Sequence, residues 1–119
     1  SYAFDDCEGL KLLIIPNNTT TIGNDAFRDC KTLTSVIVPN SITKINSYLF
    51  YSCYAAAYFD FSFHKAVPTL MSSNVFADIP SDGKIIVSDA LYDEWIAATN
   101  WSTYASNIIK KSDWDASQA

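Results

Sequence analysis

The sequence predicts a mainly β repeat solenoid of about three 23-residue coils, followed by a degenerate coil and closed by a C-terminal helical cap. Phe4, Phe27 and Phe50 recur at steps of 23, and Cys7, Cys30 and Cys53 keep the same step. Ala3 and Ala26, Leu10 and Leu33, Pro16 and Pro39, and Ile22 and Ile45 fall in that register too. From Val67 onward the period breaks, and a helix-like stretch with Trp95 and Trp101 follows. A fixed period in the twenties specifies stacked units that share one core.

Within each coil the strand comes first. Leu10 to Ile15 and Leu33 to Val38 are apolar and alternate towards their ends, as a half-buried strand requires. Leu10, Leu13 and Ile15, then Leu33, Val36 and Val38, should point inward. Pro16 and Pro39 end the strands because proline cannot donate to a ladder. Asn17-Asn18 and Asn40-Ser41 turn the chain. Ile22 and Ile45 pack the return side. In the third coil Leu gives way to Ala56, and Phe59, Phe61 and Phe63 are expected to point inward, alternating with Asp60, Ser62 and His64.

The remainder reads as a lid. Lys84 to Val87 is a short strand after the Asp82-Gly83 turn. Ser88 or Asp89 is expected to cap a helix over about 89–98, with Leu91, Trp95 and Ala98 on its apolar face. Trp101, Tyr104 and Ile108 suggest a second short turn packing back. The expected organisation is therefore repeats over 1–63, degenerate coil and cap over 64–111, and a loose polar tail over 112–119. An open end of stacked strands would template aggregation, and a terminal cap prevents it.

Composition narrows the function classes. Of 119 residues, 49% are hydrophobic and 18% charged, which fits a packed domain. The net charge of −5 and pI of about 4.5 oppose nucleic acid and anionic membrane as partners. No stretch approaches a membrane span of ~20 apolar residues, and no signal peptide is visible. Ser1 aligns with Asn24 in mid-repeat, so the chain reads as the C-terminal part of a longer array. The cysteine column is explained by packing, and a ladder of buried thiols is the expectation. Coils stack ~4.8 Å apart, which also leaves a disulfide between neighbours open. With one histidine and no C-x-x-C, no metal site or other cofactor is expected.

The words Ala26-Phe27-x-x-Cys30-x-x-Leu33-x-x-Val36-x-Val38-Pro39, followed by Ile42-x-x-Ile45, resemble the BspA-type leucine-rich repeats of bacterial surface proteins, which also occur in some parasitic protists. Val67-Pro68-Thr69-Leu70, Ile85-Ile86-Val87, Leu91-Tyr92-Asp93-Glu94-Trp95 and Asn100-Trp101-Ser102 are similar to the terminal segment many of these proteins carry. The family usually has Pro where Ser88 stands. The resemblance implies a leucine-rich-repeat solenoid, secretion or display at the cell surface, and adhesion or host-protein binding. It carries no catalytic residues, and some relatives sit in phage-like contexts.

In such a solenoid the outward strand positions line the binding face. Here these are Lys11, Leu12 and Ile14, then Thr34, Ser35 and Ile37, then Ala57, Tyr58 and Asp60. A protein or glycan ligand is expected there, with the chain a monomer. A second candidate is the tyrosine cluster Tyr48, Tyr51, Tyr54 and Tyr58, whose rings suit sugars or a protein interface. Asp60, Ser62 and His64 contain the residue types of a hydrolytic triad. No oxyanion site or glycine-rich elbow accompanies them, so no enzyme is expected. The alternative is a structural end-cap and spacer whose neighbouring coils do the binding.

Overall fold

A computed structural model describes residues 11–22, 27 and 30–118 of the chain. Ala3, Phe4, Cys7, Leu10 and Ala26 of the repeat columns lie outside the described residues. The elements are β1 (Leu12–Ile14), β2 (Ser35–Ile37), β3 (Lys44–Ile45), β4 (Tyr58–Asp60), β5 (Thr69–Leu70), β6 (Lys84–Val87), α1 (Tyr92–Ala97), β7 (Ile108–Lys110) and α2 (Lys111–Gln118). The 3-10 turn Asp89–Leu91 leads into α1, and a 3-10 segment, Trp101–Asn107, precedes β7.

The main sheet is parallel throughout and has the order β1-β2-β4-β6-β7. Its register reproduces the sequence repeat. Leu12 lies beside Ser35 and Ser35 beside Tyr58, each a step of 23. The next step, Tyr58 to Lys84, is 26. The step from Ile85 to Ile108 is 23 again. A second, two-stranded parallel sheet pairs β3 with β5 on the return side. The expectation that the period ends at Val67 is therefore corrected. One repeat takes three extra residues, and the helical segment then resumes the original step. Ile108 lies in a strand, not in a helical turn.

The inward columns explain the stacking. Val36, Phe59, Ile85 and Ile108 are buried in successive strands, and Ile15, Val38, Phe61 and Val87 form a second buried column. A ring column runs beside them. Phe27 stacks on Phe50 at 5.9 Å between centroids, Phe50 on Phe76 at 5.7 Å, and Phe76 meets Trp101 at 5.6 Å. Trp101 thus takes the place of the repeat phenylalanine in the last unit. Each such pair adds about 0.5–1.5 kcal/mol beyond the area it buries.

The C-terminal segment is also tied to the preceding unit by hydrogen bonds. Trp101 Nε1–H donates to the Pro68 carbonyl at 2.8 Å, and Asn100 Nδ2–H to the Leu70 carbonyl at 2.7 Å. Asn107 Nδ2–H donates to the Gly83 carbonyl at 2.8 Å, and the Tyr104 hydroxyl to the Ser73 carbonyl. Side chains thereby supply donors that another repeat's backbone would otherwise supply.

Four expectations are corrected. Phe63 points outward and is 60% exposed, whereas His64 is only 3% exposed. The His64 N–H bonds the Phe61 carbonyl at 3.1 Å, which closes a turn and ends the strand alternation after Phe61. The tail is not loose, because residues 111–118 form α2. Asp89 does not cap the helix that follows it, and Ser88 makes no side-chain cap bond there either. The Asp89 carboxylate instead accepts the Ser112 N–H at 3.0 Å, at the start of α2. Hydrogen bonds from the Ser112 side chain and backbone hold the Asp89 carboxyl below its usual range. Lastly, Cys30 is disulfide-bonded, which corrects the ladder of thiols, while Cys53 Sγ–H donates to the Phe27 carbonyl at 3.4 Å. Both cysteines are buried, and Cys7 lies outside the described residues.

Two substitutions test this closure. Trp101→Phe should retain the ring column, leave the Pro68 carbonyl without its donor and cost about 1–3 kcal/mol. Trp101→Ala should cost about 3–5 kcal/mol in denaturant unfolding. A Trp101→Phe protein as stable as the parent would remove the indole hydrogen bond from the account. Gly83 is buried, and a Cβ there would lie 3.0 Å from the Pro80 carbonyl oxygen and 3.1 Å from that of Ala56. Gly83→Ala should therefore lose about 1–3 kcal/mol by the same measurement.

Candidate functional site

Parallel stacking sets the outward strand residues in rows. Leu12, Ser35 and Tyr58 form one row across β1, β2 and β4, and Ile14, Ile37 and Asp60 form the next. Leu12 and Ile14 are 49% and 59% exposed. Lys11 and Ala57 are exposed, and Thr34, Ser35, Ile37, Tyr58 and Asp60 are half-buried. The structure thus sets Leu12, Ile14, Ser35, Ile37, Tyr58 and Asp60 in two rows on one face, in different states, with Lys11, Thr34 and Ala57 just ahead of the strands.

Several of their polar groups are already engaged. Thr34 Oγ1–H donates to the Lys11 carbonyl at 3.0 Å, which ties neighbouring repeats together. One Asp60 carboxylate oxygen accepts the Ser62 N–H at 2.9 Å and the Ser62 hydroxyl at 2.6 Å. The Tyr58 ring lies 5.1 Å from that of Trp114 on α2. The face therefore has an open, apolar part at β1 and β2 and a part occupied by α2.

At the end of the open part lies a groove of about 540 Å³ lined by Ile14, Ile37, Asn17, Asn40, Ser41 and Phe63, with Ile15 and Pro39. Asn17, Asn40 and Phe63 are one column at steps of 23, so a signal for this groove was present in the repeat. The inward assignment of Phe63 concealed it. The tyrosines do not form one cluster. Tyr48 and Tyr51 meet edge to face at 5.2 Å, Tyr54 is exposed, and Tyr58 lies against Trp114.

Asp60 and Ser62 are in contact, but His64 is committed elsewhere. Its Nε2 bonds the Ile42 carbonyl at 2.7 Å, and its ring packs on Phe61 at 5.4 Å and Trp95 at 6.0 Å. The expectation of a polar surface residue is corrected. His64 stands one repeat after Ser41, whose hydroxyl donates to the Thr19 carbonyl at 2.5 Å. Both side chains reach 22 residues back along the chain, so histidine performs the serine's bracing role with a larger ring. Its Nδ1 has no hydrogen-bond partner among the described residues, nor has Trp95 Nε1. Burial pushes the imidazole below its ordinary value of 6.5, against hydrogen bonds with Ile42 and Phe61.

Among the described residues, no three His, Cys, Asp or Glu side chains gather as a metal site. No helix there is long and apolar enough to cross a membrane.

Residues 1–95 match the BspA type leucine rich repeat region, in six copies. The chain belongs to that family. No curated protein and no solved structure matches it. The BspA-type match covers every row of the strand face described above and stops at Trp95, ahead of β7 and α2.

The buried His64 gives this BspA-type repeat a pH dependence of known sign. The unfolded chain binds a proton more readily than the native one, so stability is complete above about pH 6.5. It should fall as pH drops from there towards the lowered native value. Thermal midpoints measured between pH 7.5 and 5 should decline in the parent and stay nearly flat in His64→Gln. That substitution keeps an amide donor for the Ile42 carbonyl without a titrating ring. Equal slopes in the two proteins would assign the dependence to other groups.

Proposed function

We propose that this chain is a non-catalytic extracellular recognition module, a leucine-rich-repeat solenoid closed by a helical cap, whose outward strand face binds a protein partner. One observation carries the reading: Leu12 and Ile14 are exposed on β1, and Ile14 joins Ile37 and Phe63 around one groove. Aliphatic and aromatic side chains held in rows on a rigid sheet suit a protein contact, where a few desolvated apolar anchors dominate affinity. The BspA-type family suggests a surface protein with a protein-interaction role. The disulfide at Cys30 supports an oxidising compartment, where such bonds persist. The acidic net charge disfavours polyanions as partners.

A second reading is a structural end-cap and spacer. It is favoured by the number of polar groups that serve closure, with Trp101, Asn100, Tyr104 and Asn107 all donating to backbone carbonyls. A third, carbohydrate binding, draws on the exposed Tyr48 and Tyr54.

The readings separate in one panel. The chain, its Ile14→Ser/Ile37→Ser variant and a Tyr54→Ala variant are screened against immobilised extracellular-matrix proteins and a glycan array. Strand-face binding predicts protein binding that weakens about tenfold or more in the double variant, roughly 1.4 kcal/mol, with folding retained. Binding unaffected by the double variant would overturn the strand face as the site. Loss on Tyr54→Ala with glycan hits would favour sugars. No binding to either panel would favour the spacer.

A further inference from the structure

Helix α2 occupies part of the strand face without belonging to the core. None of its residues is buried. Its Trp114 ring lies on Tyr58 of β4. Its start is held by the Asp89 carboxylate on the Ser112 N–H, and Lys111 bridges Asp115 at 2.6 Å one turn on. Beneath its end a cleft of about 540 Å³ separates Trp114, Ser117 and Gln118 from Ala57, Lys84 and Pro80. An eight-residue helix has no stability of its own in water, because nucleation costs more than so few bonds return. Its position therefore depends on the rest of the fold: the Asp89 cap, the Trp114–Tyr58 rings and its packing beside β6 and β7. The last strand, β7, ends at Lys110, immediately before α2, so the helix can swing away without disturbing a strand pair.

We propose that α2 is a displaceable strap. It opens as a unit while the sheet stays folded, and opening uncovers Tyr58, the occupied part of the outward face. This regulation rests on the strand-face reading for its consequence: a partner engaging the whole row from Leu12 to Tyr58 must first displace Trp114. The opening itself needs no partner, and so it can be tested apart from binding.

The experiment is amide hydrogen exchange read by mass spectrometry on the full chain, with nitration of Tyr58 by tetranitromethane as the probe of its exposure. Trp114→Ala and Asp89→Ala, which removes the acceptor for the Ser112 N–H, are compared with the parent. The strap predicts that amides of residues 111–118 exchange at least about tenfold faster than those of β6 in the parent. Both variants should accelerate the 111–118 amides further. Trp114→Ala should also raise Tyr58 nitration several-fold over that of Tyr54, with β6 protection and the thermal midpoint unchanged. Protection of α2 equal to that of β6 would overturn the proposal, because the helix would then open only with the whole fold. Exchange of α2 that is already unprotected and insensitive to Trp114→Ala would overturn it too, because no docked state would exist. A Trp114→Ala chain that fails to fold would overturn the proposal, because the helix would then be part of the core, and Asp89→Ala exchange no faster than the parent's would overturn it as well.

Discussion

A parallel stack leaves a row of carbonyls and a disc of apolar side chains at the end of each unit, and Asn100, Trp101, Tyr104 and Asn107 answer that constraint. Water could solvate the carbonyls, but the apolar disc beside them would then be wet as well. The chain resolves both with the same residues. Trp101 places its ring in the phenylalanine column, on Phe76, while its N–H reaches the Pro68 carbonyl. Asn100 and Asn107 do the polar part alone. Asn100, which bonds Leu70, has a positive φ of 67°. The strand pair β6 and β7 then continues the main sheet past the helical segment, so the helix is held between two strands and is not hung from the end.

Much of this was legible because packing periodicity is written in residue types. Phe27, Cys30, Leu33, Val36 and Val38 are buried where the columns place them, and Leu12 and Ile14 alternate outward. Trp95 and Trp101, conspicuous by their bulk, are both fully buried against Phe61. What was not legible had local causes. The three added residues before Lys84 shift every later column, so a search at 23 loses the register and β7 with it. A turn closed by the His64 N–H reverses the inside and outside of two residues, and no residue type announces it. Asp89 lies beside a helix start in sequence, yet it serves another helix start 23 residues on. Tertiary proximity decided that, and adjacency could not. On the candidate face the rows were legible, but their occupancy was not, since Trp114 reaches Tyr58 across 56 residues of chain.

The polar brackets between neighbours share one geometry. Ser41, His64 and Thr34 each donate to a carbonyl 22 or 23 residues earlier, so they lock register as well as adding bonds. A one-residue slip would break these bonds together and turn the inward columns to solvent. Of these donors only His64 carries a titratable ring, and it stands where the repeats meet α1 through Trp95.

The resumption of the 23-residue step at β7 bears on how such arrays change length. Because each unit touches mainly its neighbours, the stability of a stack is close to a sum of unit and junction terms. The closing segment here spends its special residues on a single junction, the one with the unit ending at β6, and keeps the spacing of the others. It therefore acts as a boundary condition, not as a keystone. Units could be gained or lost further from the lid by recombination in whole multiples of the period, and neither the lid nor the junction it makes would need to be re-evolved.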